Sequence, residues 1–249
     1  MSGLQDKIAL VTGAANGIGR ACALLLAEQG SDVVAVDLEE QGLHELIIAI
    51  EASGRRATAI TGDCRDDAFV SAVFERVGAR GVDILVNNVG QSAREKAGPF
   101  IDSLAETWAF VLDVSLMTAM RFSRRAAPGM AARGWGRIVN MSSDAALIGD
   151  AGLVDYAAAK SGLLGFTRSL ARELAPRGVT VNALCPGAIR TRAHDRLSPA
   201  VLDQVKRGIP MGWVGEPEDV AQMVAFLAGE GGRYITGQTI AIDGGRWMG

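Results

Sequence analysis

The chain has 249 residues, 49% of them hydrophobic and 31 of them glycine, which is enough for one large α/β domain or two small ones. Its net charge is −3 and its basic residues are scattered, so the composition argues against a nucleic-acid or membrane surface. Two histidines argue against a metal site, and three cysteines far apart in the sequence (Cys22, Cys64, Cys185) are typical of a reduced, cytoplasmic protein.

The N-terminal segment enters a strand almost at once, so we expect no secretory signal. Seven short apolar segments are predicted strands, at 8–12, 32–37, 56–60, 82–88, 136–143, 179–187 and 238–243. Helical patterns lie between them, at 17–30, 39–53, 66–79, 103–131, 155–175 and 217–229. Strands that are apolar on both faces belong in a parallel sheet covered by helices. The alternation therefore predicts an α/β fold with a single doubly wound parallel seven-stranded sheet and helices on both faces.

One late segment, at about 190–215, has no strong pattern until a helical period begins near residue 199. It lies between a strand and a helix, where a lid over a site is expected. We predict that it closes over bound ligands, with His194 as a surface residue of the lid.

A Gly-rich turn joins the first strand to the first helix in IALVTGAANGIG. Gly13, Gly17 and Gly19 follow a GxxxGxG spacing, a variant of the dinucleotide-binding fingerprint. Such glycines let a pyrophosphate approach the backbone, and the helix N-terminus offers free N–H groups to it. A plain strand–helix turn is the alternative. The position favours a Rossmann-type dinucleotide site that also includes Asn16 and Ile18.

An acidic residue, Asp37, ends the second predicted strand, twenty residues after Gly17. A carboxylate there accepts hydrogen bonds from the adenosine ribose and repels a 2′-phosphate. Leu38, Glu39 and Glu40 follow it, with no Arg or Lys to receive that phosphate. The pattern favours NAD over NADP, with Leu38 also in the site. The alternative is that Asp37 only caps the next helix.

The segment DYAAAKSG places Tyr156 and Lys160 at i and i+4, on one face of a predicted helix. Taken alone, the pair is consistent with a half-buried ring beside a solvated lysine stem. Further motifs change that interpretation. They are TGAANGIG, NNVG at 87–90, NMSS at 140–143, YAAAK at 156–160 and CPGAIRT at 185–191.

In this order and spacing the five motifs resemble the short-chain dehydrogenase/reductase family, and the ending ITGQTIAIDGG is similar to its 3-oxoacyl-carrier-protein reductase-like branch. The resemblance covers the whole chain. It implies that Tyr156 is the general acid/base and that Lys160 lowers the pKa of Tyr156 and holds the nicotinamide ribose. It also implies that Ser143, thirteen residues before the tyrosine, stabilises the developing alkoxide, whereas Ser142 is a turn residue.

The same resemblance implies cofactor contacts along the ends of the later strands, at Asp63, Cys64, Asn88, Gly90, Pro186, Gly187, Ile189 and Thr191. Asn87 and Asn140 are interpreted as structural residues that bond the backbone between neighbouring strands. Substrate-pocket residues are expected at Gln91, Ser92, Asp144, Leu147, Ile148, Leu153 and the lid.

One position departs from the family pattern, because Ser115 stands where the long helix usually has an asparagine. That asparagine holds a water of a proton relay, largely through its main-chain carbonyl. Serine can supply the same carbonyl, and its hydroxyl can bond the carbonyl one turn back and bend the helix. We expect Ser115 to serve the relay through its carbonyl, so that Ser115→Ala costs little.

These observations predict an NAD-dependent oxidoreductase that acts on a hydrophobic or alicyclic secondary alcohol or ketone, either free or linked to coenzyme A. A 3-oxoacyl-thioester reductase is the first alternative, and a dinucleotide-binding sensor without catalysis is the second. The apolar residues of the long helices at 103–131 and 155–175 predict a homotetramer, with no nucleic-acid, membrane or metal partner.

Overall fold

Seven parallel strands form one sheet in the order β3-β2-β1-β4-β5-β6-β7. The structure, a computed structural model, describes residues 3–192 and 199–249. The strands are β1 Ile8–Thr12, β2 Asp32–Asp37, β3 Ala57–Thr61, β4 Ile84–Asn87, β5 Gly136–Met141, β6 Val179–Pro186 and β7 Thr239–Ile242. The predicted seven-stranded parallel sheet is confirmed.

Nine helices connect the described strands: α1 Gly17–Glu28, α2 Glu40–Ala52, α3 Asp67–Val77, α4 Ala105–Leu112, α5 Thr118–Arg133, α6 Ala145–Ile148, α7 Val154–Leu174, α8 Pro199–Arg207 and α9 Pro217–Ala228. Short 3₁₀ turns lie between several of them. None of these helices is long and apolar enough to cross a membrane.

Alternate strand residues point to opposite faces of the sheet and form two apolar layers. Val11 and Val139 belong to the layer that α1, α2 and α9 cover. Leu10 and Ile138 belong to the layer that α3, α5 and α7 cover. Because both faces of central strands such as β1 and β2 are buried, most of their positions are apolar, which explains their continuous apolar runs.

The predicted helix at 103–131 is interrupted. A π-helical turn, Asp113–Met117, separates α4 from α5, and the Thr118 hydroxyl donates to the Val114 carbonyl at 2.8 Å beside it. Both halves keep an apolar period, so the sequence pattern does not show the break. Turns of this kind are frequent at functional sites.

The predicted lid at 190–215 is described only in part. Residues 193–198, including His194, lie outside the described residues. The described part contains α8 and returns to the sheet through a parallel bridge between Ile189 and Gly215.

Candidate active site

The carboxyl ends of the strands meet at one edge of the sheet, where the strand order reverses between β1 and β4 and a crevice opens. The Gly-rich loop lies there. Gly13 has a φ of +65°, in the left-handed region. A Cβ on Gly19 would lie 2.0 Å from the Gly13 carbonyl oxygen, so only glycine permits this packing.

The loop leads into α1, whose N-cap residue Asn16 makes no side-chain cap hydrogen bond. The first N–H groups of α1 are therefore left without a side-chain acceptor from that cap. An anionic pyrophosphate satisfies such groups. The residues present fit a dinucleotide.

Asn88, a predicted cofactor residue, braces this loop. Its amide nitrogen Nδ2 donates to the Gly13 carbonyl at 3.0 Å and to the Thr12 carbonyl at 3.1 Å. The Thr12 hydroxyl accepts from the Asn88 backbone N–H at 3.0 Å. Thr12 was missed by the sequence reasoning, because a threonine at a strand end carries no distinctive signal.

At the other end of the crevice, both carboxylate oxygens of Asp37 accept backbone hydrogen bonds, one from Ala15 at 2.9 Å and one from Glu39 at 3.1 Å. Glu39, not Asp37, is the N-cap residue of α2. Asp37 therefore links β2 to the Gly-rich loop, and Leu38 beside it is 69% exposed.

The predicted cofactor contacts Asp63 and Cys64 lie after β3. The Asp63 carboxylate pairs with Arg65 at 2.6 Å, and this hydrogen bond lowers the Asp63 pKa. Cys64 is buried, and burial raises the pKa of its thiol to about 12. A thiol with that pKa is not nucleophilic at neutral pH, so Cys64 has only a packing or backbone role.

The start of α7 carries Tyr156 and Lys160 on one face, with the Lys160 Nζ 5.6 Å from the Tyr156 ring centroid. Lys160 is buried, and its Nζ donates to the Met141 carbonyl at 2.7 Å. Burial lowers the pKa of Lys160 to about 8.

The prediction that Lys160 lowers the pKa of Tyr156 is not what the structure shows. Burial raises the Tyr156 pKa above its usual value, while a hydrogen bond with Ser143 opposes that shift. The desolvation of the phenol outweighs the charges around it. The phenol is therefore protonated at neutral pH.

Ser143 lies just after β5, and its hydroxyl donates to the Asp144 Oδ1 at 3.2 Å and accepts from the Ala145 N–H at 3.2 Å. Asp144 is buried and pairs with Arg246 near the C-terminus. Burial raises the pKa of Asp144, and Arg246 opposes that shift. The sequence reasoning gave Asp144 only a place in the pocket and missed Arg246, which is 102 residues away.

The neighbouring Ser142 hydroxyl donates to the Lys160 carbonyl at 2.8 Å and is buried. It joins β5 to α7, which is a structural role.

Ser115 lies in the π-helical turn and is fully buried. Its hydroxyl accepts from the Gln91 N–H at 3.0 Å and donates to the Gln91 carbonyl at 3.1 Å. The hydroxyl therefore bonds the loop after β4 and not the carbonyl one turn back, which is the other partner that a serine here can reach. The Ser115 side chain instead fixes the loop after β4, where a Cβ on Gly90 would lie 2.7 Å from the Lys160 Nζ.

Asn87 and Asn140 are structural, but they do not bond the backbone as expected. The Asn87 Nδ2 donates to the Asn140 Oδ1 at 2.8 Å and to the Ser123 hydroxyl at 3.0 Å. The Asn140 Nδ2 donates to the Thr167 hydroxyl at 2.9 Å. Their side chains tie the sheet to α5 and α7, because both amides point into the helical layer.

The segment after β6 crosses towards the Gly-rich loop. The Pro186 carbonyl accepts a hydrogen bond from the Asp144 N–H at 2.9 Å, and the Gly187 N–H donates to the Ile242 carbonyl at 3.0 Å. Ile189 is buried. A Cβ on Gly17 would lie 3.3 Å from the Thr191 methyl carbon, so Thr191 lies against the loop.

A family model described as enoyl-(acyl carrier protein) reductase matches residues 13–246, which include the Gly-rich loop, Ser143, Tyr156 and Lys160. The chain belongs to the short-chain dehydrogenase/reductase family. It is therefore an oxidoreductase of a family that binds a nicotinamide dinucleotide.

Several relatives in this short-chain dehydrogenase/reductase family are 3-oxoacyl-[acyl-carrier-protein] reductases. The chain is 38% identical to the one from Vibrio cholerae over 98% of this chain and 99% of the relative. It is 40% identical to the one from Aquifex aeolicus over 97% of this chain and 98% of that relative. It is 38% identical to the one from Staphylococcus aureus over 98% of this chain and 99% of that relative.

Two cavities open near the site of this short-chain dehydrogenase/reductase. One, of about 290 Å³, is lined by the predicted pocket residues Ser92 and Leu153 together with Phe100, Leu104 and Trp108. The other, of about 330 Å³, lies between Ile189, Trp213 and the segment after β7. Neither of these two cavities is lined by Tyr156 or Ser143.

Proposed function

We propose that the protein reduces the 3-keto group of an acyl thioester to a 3-hydroxyl group, using a nicotinamide dinucleotide as the hydride donor. The observation that carries this proposal is the similarity, over nearly the full length of both chains, to reductases whose names specify 3-oxoacyl groups on acyl carrier protein. These relatives favour the reductase alternative over the generic alcohol dehydrogenase that leads the sequence interpretation.

The arrangement of side chains is consistent with reduction. A dinucleotide held by the Gly-rich loop and the N-terminus of α1 would supply the hydride for the carbonyl carbon. Ser143 would donate its hydroxyl proton to the carbonyl oxygen, in place of the Asp144 Oδ1 that accepts it in this structure, as negative charge grows on that oxygen during C–H bond formation. Tyr156 then transfers its phenolic proton to that oxygen, so that the C=O group becomes C–OH, and the phenolate regains a proton from solvent. A phenol whose pKa is raised is available as the proton donor at neutral pH.

We propose NAD(H) as the cofactor, because the residues after β2 are acidic. Asp37 and Glu39 both have carboxylates at the end of the crevice where the adenosine ribose lies in a dinucleotide site of this type. A 2′-phosphate would add two negative charges beside them.

We also propose that residues 1–249 act as one NAD-binding domain, that the segment at 190–215 closes over the substrate, and that the protein is a cytoplasmic homotetramer. All three cysteines are free and buried, which is consistent with a reducing compartment. Exposed apolar side chains on α4 and α5 are consistent with an interface.

The test is a substrate panel followed at 340 nm with NADH and with NADPH. Acetoacetyl-CoA is the 3-oxo substrate, crotonyl-CoA tests the enoyl reductase named by the family model, and cyclohexanol with NAD⁺ tests the alcohol dehydrogenase. We expect acetoacetyl-CoA to be reduced with the highest kcat/KM. Faster turnover of crotonyl-CoA or cyclohexanol would contradict the proposal, and dinucleotide binding without any turnover would support a sensor.

A further inference from the structure

An arginine distant in sequence reaches the acidic end of the crevice. One guanidinium nitrogen of Arg192 lies 2.7 Å and 2.6 Å from the two carboxylate oxygens of Glu39, which is 153 residues away. The Asn16 side chain donates to the same Glu39 carboxylate at 3.4 Å. The residues that follow Asp37 include no Arg or Lys, as the sequence shows, but the fold brings Arg192 to the same end of the crevice from a distant segment.

The segment that carries Arg192 is held in place on both sides of the crevice. The Arg190 N–H donates to the Gly215 carbonyl at 2.8 Å, and the Gly215 N–H donates to the Ala188 carbonyl at 3.0 Å. The Thr191 side chain lies against Gly17 of the Gly-rich loop. These contacts bring Arg192 to the ribose end of the crevice.

Three carboxylates surround the Arg192 guanidinium. The hydrogen bond and the charge of Glu39, and then the charges of Glu45 and Asp37, raise the pKa of Arg192. Asp37 already accepts two backbone N–H groups, so Glu39 is the carboxylate in direct contact with the arginine. Its side chain is 38% exposed and that of Arg192 is 55% exposed, so neither is locked in the core.

Arginine is the side chain best suited to bind a phosphate, through several directed N–H groups. An Arg192 free of Glu39 would be a ready ligand for a 2′-phosphate. With Glu39 in place, a phosphate that took the guanidinium would leave the Glu39 carboxylate unpaired beside a dianion. Like charges at that distance repel each other.

We propose that Glu39 is a specificity-determining residue that selects against NADP(H) by occupying Arg192. The inference rests on the dinucleotide-binding function proposed above and concerns how the preference arises. Asp37 repels the 2′-phosphate directly. Glu39 acts differently, because it holds Arg192, the one cation among the described contacts of Asp37 and Glu39, and so keeps Arg192 from binding the phosphate.

The test is a double-mutant cycle of Glu39→Gln and Arg192→Gln, with dissociation constants for NAD⁺ and NADP⁺ measured by isothermal titration calorimetry. We expect Glu39→Gln to tighten NADP⁺ binding about tenfold, the size of one charge-assisted hydrogen bond discounted for exposure. NAD⁺ binding is expected to change much less. In the Arg192→Gln background, Glu39→Gln is expected to give little or no gain for NADP⁺.

Glu40→Gln is the matched control, since it removes the same charge from the neighbouring residue, which is exposed at the start of α2. It should leave the NADP⁺ affinity near that of the wild type. Circular dichroism and thermal unfolding check that each variant is folded.

Three results would overturn the proposal: no gain in NADP⁺ affinity with Glu39→Gln, an equal gain in the Arg192→Gln background, or an equal gain with Glu40→Gln. The second or the third result would mean that the carboxylate repels the 2′-phosphate directly, without acting through Arg192. A wild type that binds NADP⁺ as tightly as NAD⁺ would contradict the proposed cofactor preference. The double-mutant cycle would in that case still measure the coupling between Glu39 and Arg192 in NADP⁺ binding. A wild type that binds neither dinucleotide would overturn both.

Discussion

Tyr156 and Tyr234 are the two tyrosines of the chain, and the structure gives them opposite surroundings. The Tyr156 ring packs against the buried cluster of Ala93, Val111 and Ala159, with its hydroxyl beside Ser143. Tyr234 is 99% exposed. Only the first phenol is buried beside Ser143, so the proton transfer proposed above concerns Tyr156 and not Tyr234.

We expect Tyr156→Phe to lower kcat by about 10²- to 10⁴-fold, because the ring remains but the proton donor is lost. Dinucleotide binding and the melting temperature should change little. Tyr234→Phe removes the same hydroxyl from the surface and should leave kcat unchanged. A Tyr156→Phe variant that kept most of its turnover would assign the proton to another group.

Lys160 shows the cost of a buried charge. Its pKa of about 8 lies below the ordinary 10.5. Below pH 8 the side chain is charged in both the native and the unfolded chain, so the burial penalty is constant. Between pH 8 and 10.5 the native side chain loses its proton first, and the stability of the wild type rises with pH in that window.

We therefore expect Lys160→Met to be inactive yet more stable than the wild type at pH 7 without cofactor, by about 1–3 kcal/mol. Urea unfolding at pH 7 and at pH 10 measures this, and the advantage should shrink at the higher pH. Lys96→Met, at an exposed position, is the control and should show no such dependence. A Lys160→Met variant less stable than the wild type at both pH values would mean that the bond to Met141 outweighs the burial cost.

At the scale of elements, the π-helical turn between α4 and α5 places a single buried serine against the loop after β4. Ser115 satisfies both backbone groups of Gln91, and Gly90 beside it packs on Lys160. The turn therefore supports Lys160 through the loop. The main-chain carbonyl of Ser115 stays a candidate for the proton relay that the family resemblance implies.

We expect Ser115→Ala to lower the free energy of unfolding by about 1–2 kcal/mol, since it removes the two part-buried hydrogen bonds that the Ser115 hydroxyl makes with the Gln91 backbone. Its kcat should fall far less than that of Tyr156→Phe. Ser161→Ala removes one hydroxyl bond from an exposed position on α7 and should cost little stability. If the hydroxyl itself carried the proton, Ser115→Ala would instead lose about 100-fold in kcat with little change in stability.

For the whole molecule, the large apolar residues of the long helices divide into two groups. Phe122, Leu163 and Leu164 are buried in the core, whereas Leu112, Met117 and Met120 are 37–39% exposed. A monomer covers the first group unaided. The second group leaves an apolar surface on α4 and α5 that a partner subunit would cover.

We expect light scattering coupled to size exclusion to give four times the 26.0 kDa chain mass at micromolar concentration. Met120→Glu should reduce this mass, because an interface buries the new charge without a partner. Ile48→Glu places the same charge on exposed α2, on the other face of the sheet, and should leave the tetramer intact. A wild-type protein that is monomeric at this concentration would contradict the proposed homotetramer.

Features that depend on neighbouring residues were predictable from the sequence. Strands such as 8–12 and 32–37 have the predicted bounds, because a strand buried on both faces needs a continuous apolar run. The Gly-rich turn before α1 and the Tyr156–Lys160 pair also follow from local spacing, since a helix places i and i+4 on one face.

Features that join distant segments were decided by the tertiary structure. The Glu39–Arg192 and Asp144–Arg246 pairs depend on the paths of loops, and isolated charged residues in loops carry no periodic signal. The raised pKa of Tyr156 and the lowered pKa of Lys160 depend on how much water the packed helices exclude. Local backbone preference and hydrophobicity are properties of a sequence segment, whereas desolvation and long-range ion pairs exist only once the segments have packed.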